Sequence, residues 1–220
     1  MRPRPYDPCM DIFEGIPDAA FRFYADLEHN NNRDWWLEHK ATYDSAVKGP
    51  LTLLLAQLEP AFGAAKLFRP NRDVRFSLDK SPYKTAQGAL ASVADGVGFY
   101  LQLSADGFLI GGGCHTQTPA QLARFRSAVD APASGESLET IVKDIETAGF
   151  AVEGESLKTV PRGFDKDHPR AGLLKHKSLT AAVNVGQPDW LAGPGAAAEV
   201  ARRWEELRAL VDWIGCHAAP

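Results

Sequence analysis

The sequence predicts an α+β fold in which an antiparallel meander sheet packs against N-terminal and C-terminal helices. Three observations carry that expectation. Apolar residues recur at three- and four-residue steps in the first 60 residues and again beyond residue 118. Between them the period shortens to two, in short runs separated by turn pairs. Helical stretches therefore flank the strands rather than alternating with them, which favours segregated layers over a parallel sheet.

Each element follows from its own residues. Pro17-Asp18 opens a first helix whose inner side carries Phe21, Tyr24 and Leu27, with Phe23 beside them, and "HNNNR" ends it. An asparagine of that run caps a second helix beginning near Arg33 and bearing Trp35, Trp36, His39 and Tyr43. Gly49-Pro50 interrupts the pattern, and a fresh helix starts at Pro50 with Leu51, Leu54, Leu55 and Leu58 inward. "KLFRP" and "DVRFS" read as short strands. "GALASVAD" and "GVGFYLQLS" pair across Asp95-Gly96, and "ADG" turns the second of these into "FLIGGG". Thr118-Pro119 starts a helix with Leu122, Phe125 and Val129 inward, and Ser137 another, with Leu138, Ile141, Val142 and Ile145 inward and Gly149 as its stop. "AVEGESLKTVP" reads as an extended pair, "HPRAGLLKHK" as a short helix and "LTAAVNV" as a last strand. The closing helix presents Val200, Trp204, Leu207, Leu210, Val211 and Ile214 along one side. The expected organisation is a loose lead-in over 1–12, one α+β domain over 13–214 and a tail over 215–220.

Composition bounds the function. The chain of 220 residues has 45% hydrophobic and 24% charged residues and a formal net charge of -4, which suits a water-soluble globule and disfavours nucleic acid as a partner. No run approaches the roughly 18 apolar residues of a membrane helix, and the first 17 residues lack the apolar stretch of a signal peptide. Cys9, Cys114 and Cys216 form neither a disulfide framework nor spaced metal ligands. A cytoplasmic location, with reduced thiols, is expected.

Against this acidic background, "FRPNRDVRFSLDKSPYKT" gathers Arg69, Arg72, Arg75, Lys80 and Lys84 against Asp73 and Asp79. Read as a strand, it puts Arg72 and Phe76 on one face and Asp73, Arg75 and Ser77 on the other. Guanidinium forks and an ammonium so placed suit a phosphate or carboxylate, with Tyr83 stacking or hydrogen bonding. The bland alternative is local pairing, Asp73 with Arg75 or Asp79 with Lys80.

Three other stretches are weighed beside it. "IGGGCH" lacks the lysine and hydroxyl of a phosphate loop, yet Gly112 and Gly113 leave room for a ligand or for a close strand. Cys114 and His115 fall on opposite faces, against a nucleophile pair. Arg33 sits at a helix start, where a cation gains nothing from the dipole, so a carboxylate or ligand would hold it. Of the adjacent Trp35 and Trp36, one belongs in the core and the other at a boundary or cleft wall. "VPRGFDKDHP" supplies Arg162; its Asp165, Asp167 and His168 lack diagnostic metal spacing, and helix capping explains them more plainly.

"LEHNNNRDWWLEHKATYDSAVKGP", "FRPNRDVRFSLDKSPYKT", "GFYLQLSADGFLIGGG" and "LKTVPRGFDKDHPRAGLLKHKSL" resemble, in order, successive blocks of the microbial family called domain of unknown function 2461, whose members are conserved hypothetical proteins. The resemblance covers roughly residues 13 to 213. It implies a single cytoplasmic domain and supplies no catalytic residue, substrate or cofactor. Two features depart from the family pattern: Trp35-Trp36 stands in place of its Trp-Phe, and Cys114 follows the glycines, which argues against a general catalytic role for that thiol.

The functional expectation is a small anionic ligand held by Arg33, Arg72, Arg75, Lys80, Tyr83, Lys84, Gly112, Gly113 and Arg162, with no cofactor and no metal. Whether the ligand is also converted is open, because no base or nucleophile stands out and His39, His115 and His168 are candidates only by residue type. The alternatives are a module docking an acidic protein or nucleic acid, and a structural cation cluster paired with Glu28, Glu38, Asp44 and Asp73.

Overall fold

The computed structural model describes residues 12–73, 75 and 79–219. Its elements run α1 (Asp18–His29), α2 (Arg33–Thr42), α3 (Gly49–Phe62), β1 (Ala65–Leu67), β2 (Ala86–Ala94), β3 (Val97–Ser104), β4 (Gly107–Cys114), α4 (Pro119–Asp130), α5 (Pro132–Thr147), β5 (Ala151–Glu153), α6 (Ala171–Leu174), β6 (Leu179–Asn184) and α7 (Ala196–His217). The α+β class holds: the six strands form one sheet in the order β1-β2-β3-β4-β6-β5, antiparallel at every pairing. The meander through β4 follows the turns expected at Asp95-Gly96 and Ala105-Asp106.

The register sorts the side chains. Phe99 opposes Gly112, Leu101 opposes Ile110 and Leu103 opposes Phe108, and these residues are buried. One residue along, Tyr100 opposes Gly111 and Gln102 opposes Leu109, and here Tyr100, Gln102 and Leu109 are only half-buried. Successive residues of a strand point to opposite faces, so the first set defines a core face and the second a face that stays accessible. α7 lies along β3 and β4 on the core face, where its Val211 and Leu207 approach Gly112. Phe62 of α3, Phe99 and Trp204 of α7 meet there with ring centroids 5.0 to 5.4 Å apart.

Four sequence expectations change in detail. Gly49-Pro50 does not break the chain. A π-helical stretch, Tyr43–Lys48, joins α2 to α3, and the Gly49 N–H donates to Asp44 O, five residues back. The wider turn takes in the residue before proline, whose own nitrogen has no proton to offer. α5 starts at Pro132, five residues earlier than Ser137, because proline in the first turn has no hydrogen bond to lose. Residues 151–156 do not pair with one another. β5 pairs with β6, and Ser156 bridges His176. The "DVRFS" strand is not formed at Arg72, Asp73 or Arg75, which lie in a loop; Val74, Phe76 and Ser77 fall outside the described residues.

That loop is fixed at its base. The Arg72 N–H donates to Pro82 O (2.9 Å) and the Lys84 N–H to Pro70 O (2.8 Å), so Asn71 and Tyr83 form an antiparallel bridge. The Asn31 side chain then acts as a further strand: its Nδ2 donates to Tyr83 O (2.9 Å) and its Oδ1 accepts from the Tyr83 N–H (3.1 Å). Trp36 stacks on the Tyr83 ring at 4.1 Å and 11°. Next to it, the Tyr43 hydroxyl donates to Gln87 Oε1 (2.7 Å), and Gln87 Nε2 donates to Phe68 O (2.7 Å). Burial, with a smaller contribution from Asp44, pushes the Tyr43 phenol up to about 12, so the hydroxyl remains a donor at neutral pH.

Removing the Asn31 amide leaves two half-buried backbone groups of Tyr83 without these partners. Asn31→Ala is expected to lower stability by about 1–3 kcal/mol in urea denaturation, and to accelerate hydrogen exchange at the Tyr83 amide more than at Phe99. Equal exchange rates in the two proteins would mean that the amide clamp does not hold the loop.

Candidate functional site

The basic loop meets much of its charge internally. Arg72 pairs with Asp79, which also accepts from the Ser81 N–H (2.9 Å) and hydroxyl. Arg75 forms a forked contact with Asp73, 2.7 Å at its closest, and its own N–H reaches the same carboxylate at 3.2 Å. The Arg75 guanidinium holds the Asp73 carboxyl below the usual carboxylate range. The Asp73–Arg75 and Asp79–Ser81 contacts join residues two apart, as in Asx turns, and the Arg72–Asp79 pair, seven residues apart, is likewise made within the loop. Of the acids weighed in the structural alternative, Asp73 pairs with Arg75 and Asp44 pairs with Lys40 of its own helical run. Arg33 is exposed at the start of α2, and the cap there is Asn32, whose Oδ1 accepts from the Trp35 N–H at 3.0 Å. Lys84 is half-buried, with its ammonium 5.6 Å above the Phe68 ring. Arg162 is exposed in the segment before α6, and Lys80 is exposed in the loop.

The glycines belong to a different place. A Cβ on Gly111 would stand 2.9 Å from Ala181 O, and one on Gly113 would stand 2.9 Å from Thr180 Cα, where the residue also has φ +124°. The close approach is made by β6, and no side chain fits at either position. Gly98 has the same constraint from Ala91, with its carbonyl carbon at 3.0 Å. Three strand positions on the accessible face are thus bare, and they floor a groove of about 570 Å³. Phe68 and Leu90 flank it on one side and Thr180 and Ala182 on the other, with Tyr100, Gln102 and Leu109 along its length.

The groove runs on past His115, Thr116 and Thr180, which also line a second cavity of about 820 Å³. The second cavity is polar. Its walls come from the segment after β4 (His115, Gln117), from β5 and its extension (Glu153, Glu155) and from the approach to β6 (His176, Lys177, Ser178). Cys114 and His115 part as expected: Cys114 is buried and donates to Thr116 O at 3.2 Å, while His115 is exposed. Burial pushes the Cys114 thiol up, away from thiolate chemistry.

Several polar groups of this cavity serve the fold. Lys177 pairs with Glu155, and Ser178 Oγ accepts from the Glu155 N–H at 2.8 Å. Two groups stand apart. Both amide atoms of Gln117 are buried without a hydrogen-bond partner among the described residues. The His176 ring uses Nδ1 on Ser178 O (3.1 Å), and burial lowers its pKa, a shift the Ser178 contact opposes.

Neither residue was visible to sequence reasoning, because both lie in connecting segments of no marked periodicity. The groove did leave a signal: Gly98, Tyr100, Gln102 and Gly107, Leu109, Gly111, Gly113 form one alternating set in which small or polar residues replace core ones. His168 lies elsewhere; its Nε2 stands 3.2 Å from Asp130 and its Nδ1 accepts from the Arg170 N–H at 3.0 Å, ahead of α6, a local role of the capping kind. Among the described residues no cluster of three metal-ligating side chains forms, and no helix is long and apolar enough to cross a membrane.

A family model described as conserved hypothetical protein (DUF2461) matches residues 19–213. No curated protein and no solved structure matches the chain.

An amide buried without a partner costs about 1–3 kcal/mol relative to one that is satisfied. Gln117→Leu is therefore expected to leave the ligand-free protein as stable or to raise its unfolding midpoint. A drop of several degrees in a thermal melt would show that the amide is already satisfied inside the fold.

Proposed function

The chain belongs to the family of conserved hypothetical proteins designated DUF2461, and on that premise we propose that it binds a small molecule on the accessible face of its sheet. The ligand's flat apolar body lies on the floor of Gly98, Gly111 and Gly113, against Tyr100, Leu109 and Ala182. Its hydrogen-bonding end enters the polar cavity beside Gln117 and His176. The observation that carries this reading is the Gln117 amide, buried and unpartnered at the wall of a cavity continuous with an apolar groove. Ligand sites combine largely apolar walls with a few polar groups, in volumes of about 300–1,000 Å³; each cavity lies within that range, and the groove supplies the apolar walls while the second cavity supplies the polar groups.

Titration with 2-naphthol, followed by amide NMR, is expected to shift Gly98, Gly111, Thr180 and Ala182. Ala182→Trp fills the groove from a half-exposed position and is expected to weaken binding at least about tenfold, the equivalent of about 1.4 kcal/mol, with little change in melting temperature. Shifts confined to the helices, or unchanged affinity in the variant, would remove the groove from the account.

A second reading keeps an anionic group on the ligand. It is favoured by Lys84, whose ammonium stands over the ring of Phe68, a residue on the flank of the groove. Arg72 and Arg75 are committed to Asp79 and Asp73, which leaves Lys84 to meet a carboxylate or phosphate there. 6-Hydroxy-2-naphthoate should then bind more tightly than 2-naphthol, and Lys84→Gln should abolish the difference. Equal affinities in the unaltered protein would exclude an anion-binding end.

A further inference from the structure

His176 has the features of a group that selects ligands. Its Nδ1 stands 3.1 Å from Ser178 O. A carbonyl oxygen can only accept, so Nδ1 carries the ring proton and Nε2 of the neutral ring is left with a lone pair. Among the described residues Nε2 has no partner. The backbone on either side is held: the His176 N–H donates to Leu173 O (3.1 Å), and the residue bridges Ser156. The ring is half-buried and lines the polar cavity together with Gln117.

We infer that His176 is the specificity-determining residue of this cavity: its Nε2 accepts a hydrogen bond from the ligand, so the ligand class is an apolar ring system bearing a hydroxyl or N–H donor. The inference rests on the binding site proposed above. Two further groups support the same class. Gln117 offers both an amide donor and an acceptor, which lets it meet the oxygen of that hydroxyl while His176 takes its proton as a hydrogen bond. Burial lowers the pKa of the ring, which keeps it neutral at pH 7 and its lone pair available.

The sign of the pH dependence follows. The imidazolium has no acceptor, so affinity for a hydroxyl-bearing ligand falls as pH drops through the ring's pKa, below the ordinary histidine value of about 6.5. The charged and titratable groups around the ring are His115 after β4, Glu153 of β5, Glu155, Lys175 and Lys177 of the flanking segments, and Arg126 of α4, whose Nε donates to Leu174 O at 3.3 Å. Lys177 and Glu155 pair with each other, and the group whose proton the proposed contact senses is the His176 ring.

The test compares 2-naphthol with 2-methoxynaphthalene, which has the same ring system and no donor, by amide NMR at pH 7.5. Long-range ¹H–¹⁵N spectra of the histidine rings are recorded in the free protein. The inference expects at least about tenfold tighter binding of the naphthol, corresponding to about 1.4 kcal/mol. The preference should vanish in His176→Phe, persist in part in His176→Gln, which retains an acceptor, and fade as pH falls below about 6.5. The free ring should be the neutral Nδ1–H tautomer. Equal binding of both probes in the groove would overturn the inference and leave the site standing. Failure of both probes to shift Gly98, Gly111 or Thr180 would overturn the site, and the inference with it. A ring protonated at Nε2 at pH 7.5 would overturn the inference whatever the probes do.

Discussion

The structure depends on how closely β6 approaches β4. Beside Gly111 and Gly113 the backbone of residues 179–181 occupies the space a side chain would need. Any Cβ there would force the strands apart, and the β4–β6 pairing that joins the meander to β5 would be lost. The same constraint has a second consequence on the accessible face. A strand position that tolerates only glycine leaves bare backbone, and the bare positions of β3 and β4 form a flat floor that side chains wall in. The core face shows the opposite economy, with Phe62, Phe99 and Trp204 packed in mutual contact under α7.

A second constraint joins two sequence blocks that lie about 50 residues apart. "NNNRDWW" and "SPYKT" meet because the Asn31 amide supplies both halves of a backbone pairing to Tyr83 while Trp36 stacks on its ring. The base of the basic loop is thereby fixed, whereas its tip is neutralised by its own aspartates. Exposed pairs of this kind contribute little to stability, about 0–1 kcal/mol each. Their consequence is electrostatic: the two arginines carry much less net field than their number suggests. Lys84 differs because its ammonium lies over an aromatic ring and near the groove, with no carboxylate contact described.

The fold was largely legible because its signals are local. Thr118-Pro119 starts α4 where the sequence places it, the structure adding a capping box between Thr118 and Gln121, and Asp95-Gly96 turns the chain where it should. Pro50 misled because a π-helical stretch carries the chain through the break that a proline usually marks. The site was legible only in part. Arg72 and Arg75 stood out by charge, yet their partners, Asp79 and Asp73, are also local, and charge counts do not reveal pairing geometry. Gln117 and His176 are 59 residues apart in sequence and face one cavity only because β4 and β6 are neighbours. No single stretch of sequence carries that information.

The most direct measurement is a crystal structure of the protein soaked with 2-naphthol. The account predicts ring density flat against Gly98 and Gly111, with the hydroxyl within hydrogen-bonding distance of His176 Nε2 and the Gln117 amide. Density for the ring elsewhere, with the Gln117 amide bonded to the protein's own backbone, would contradict it.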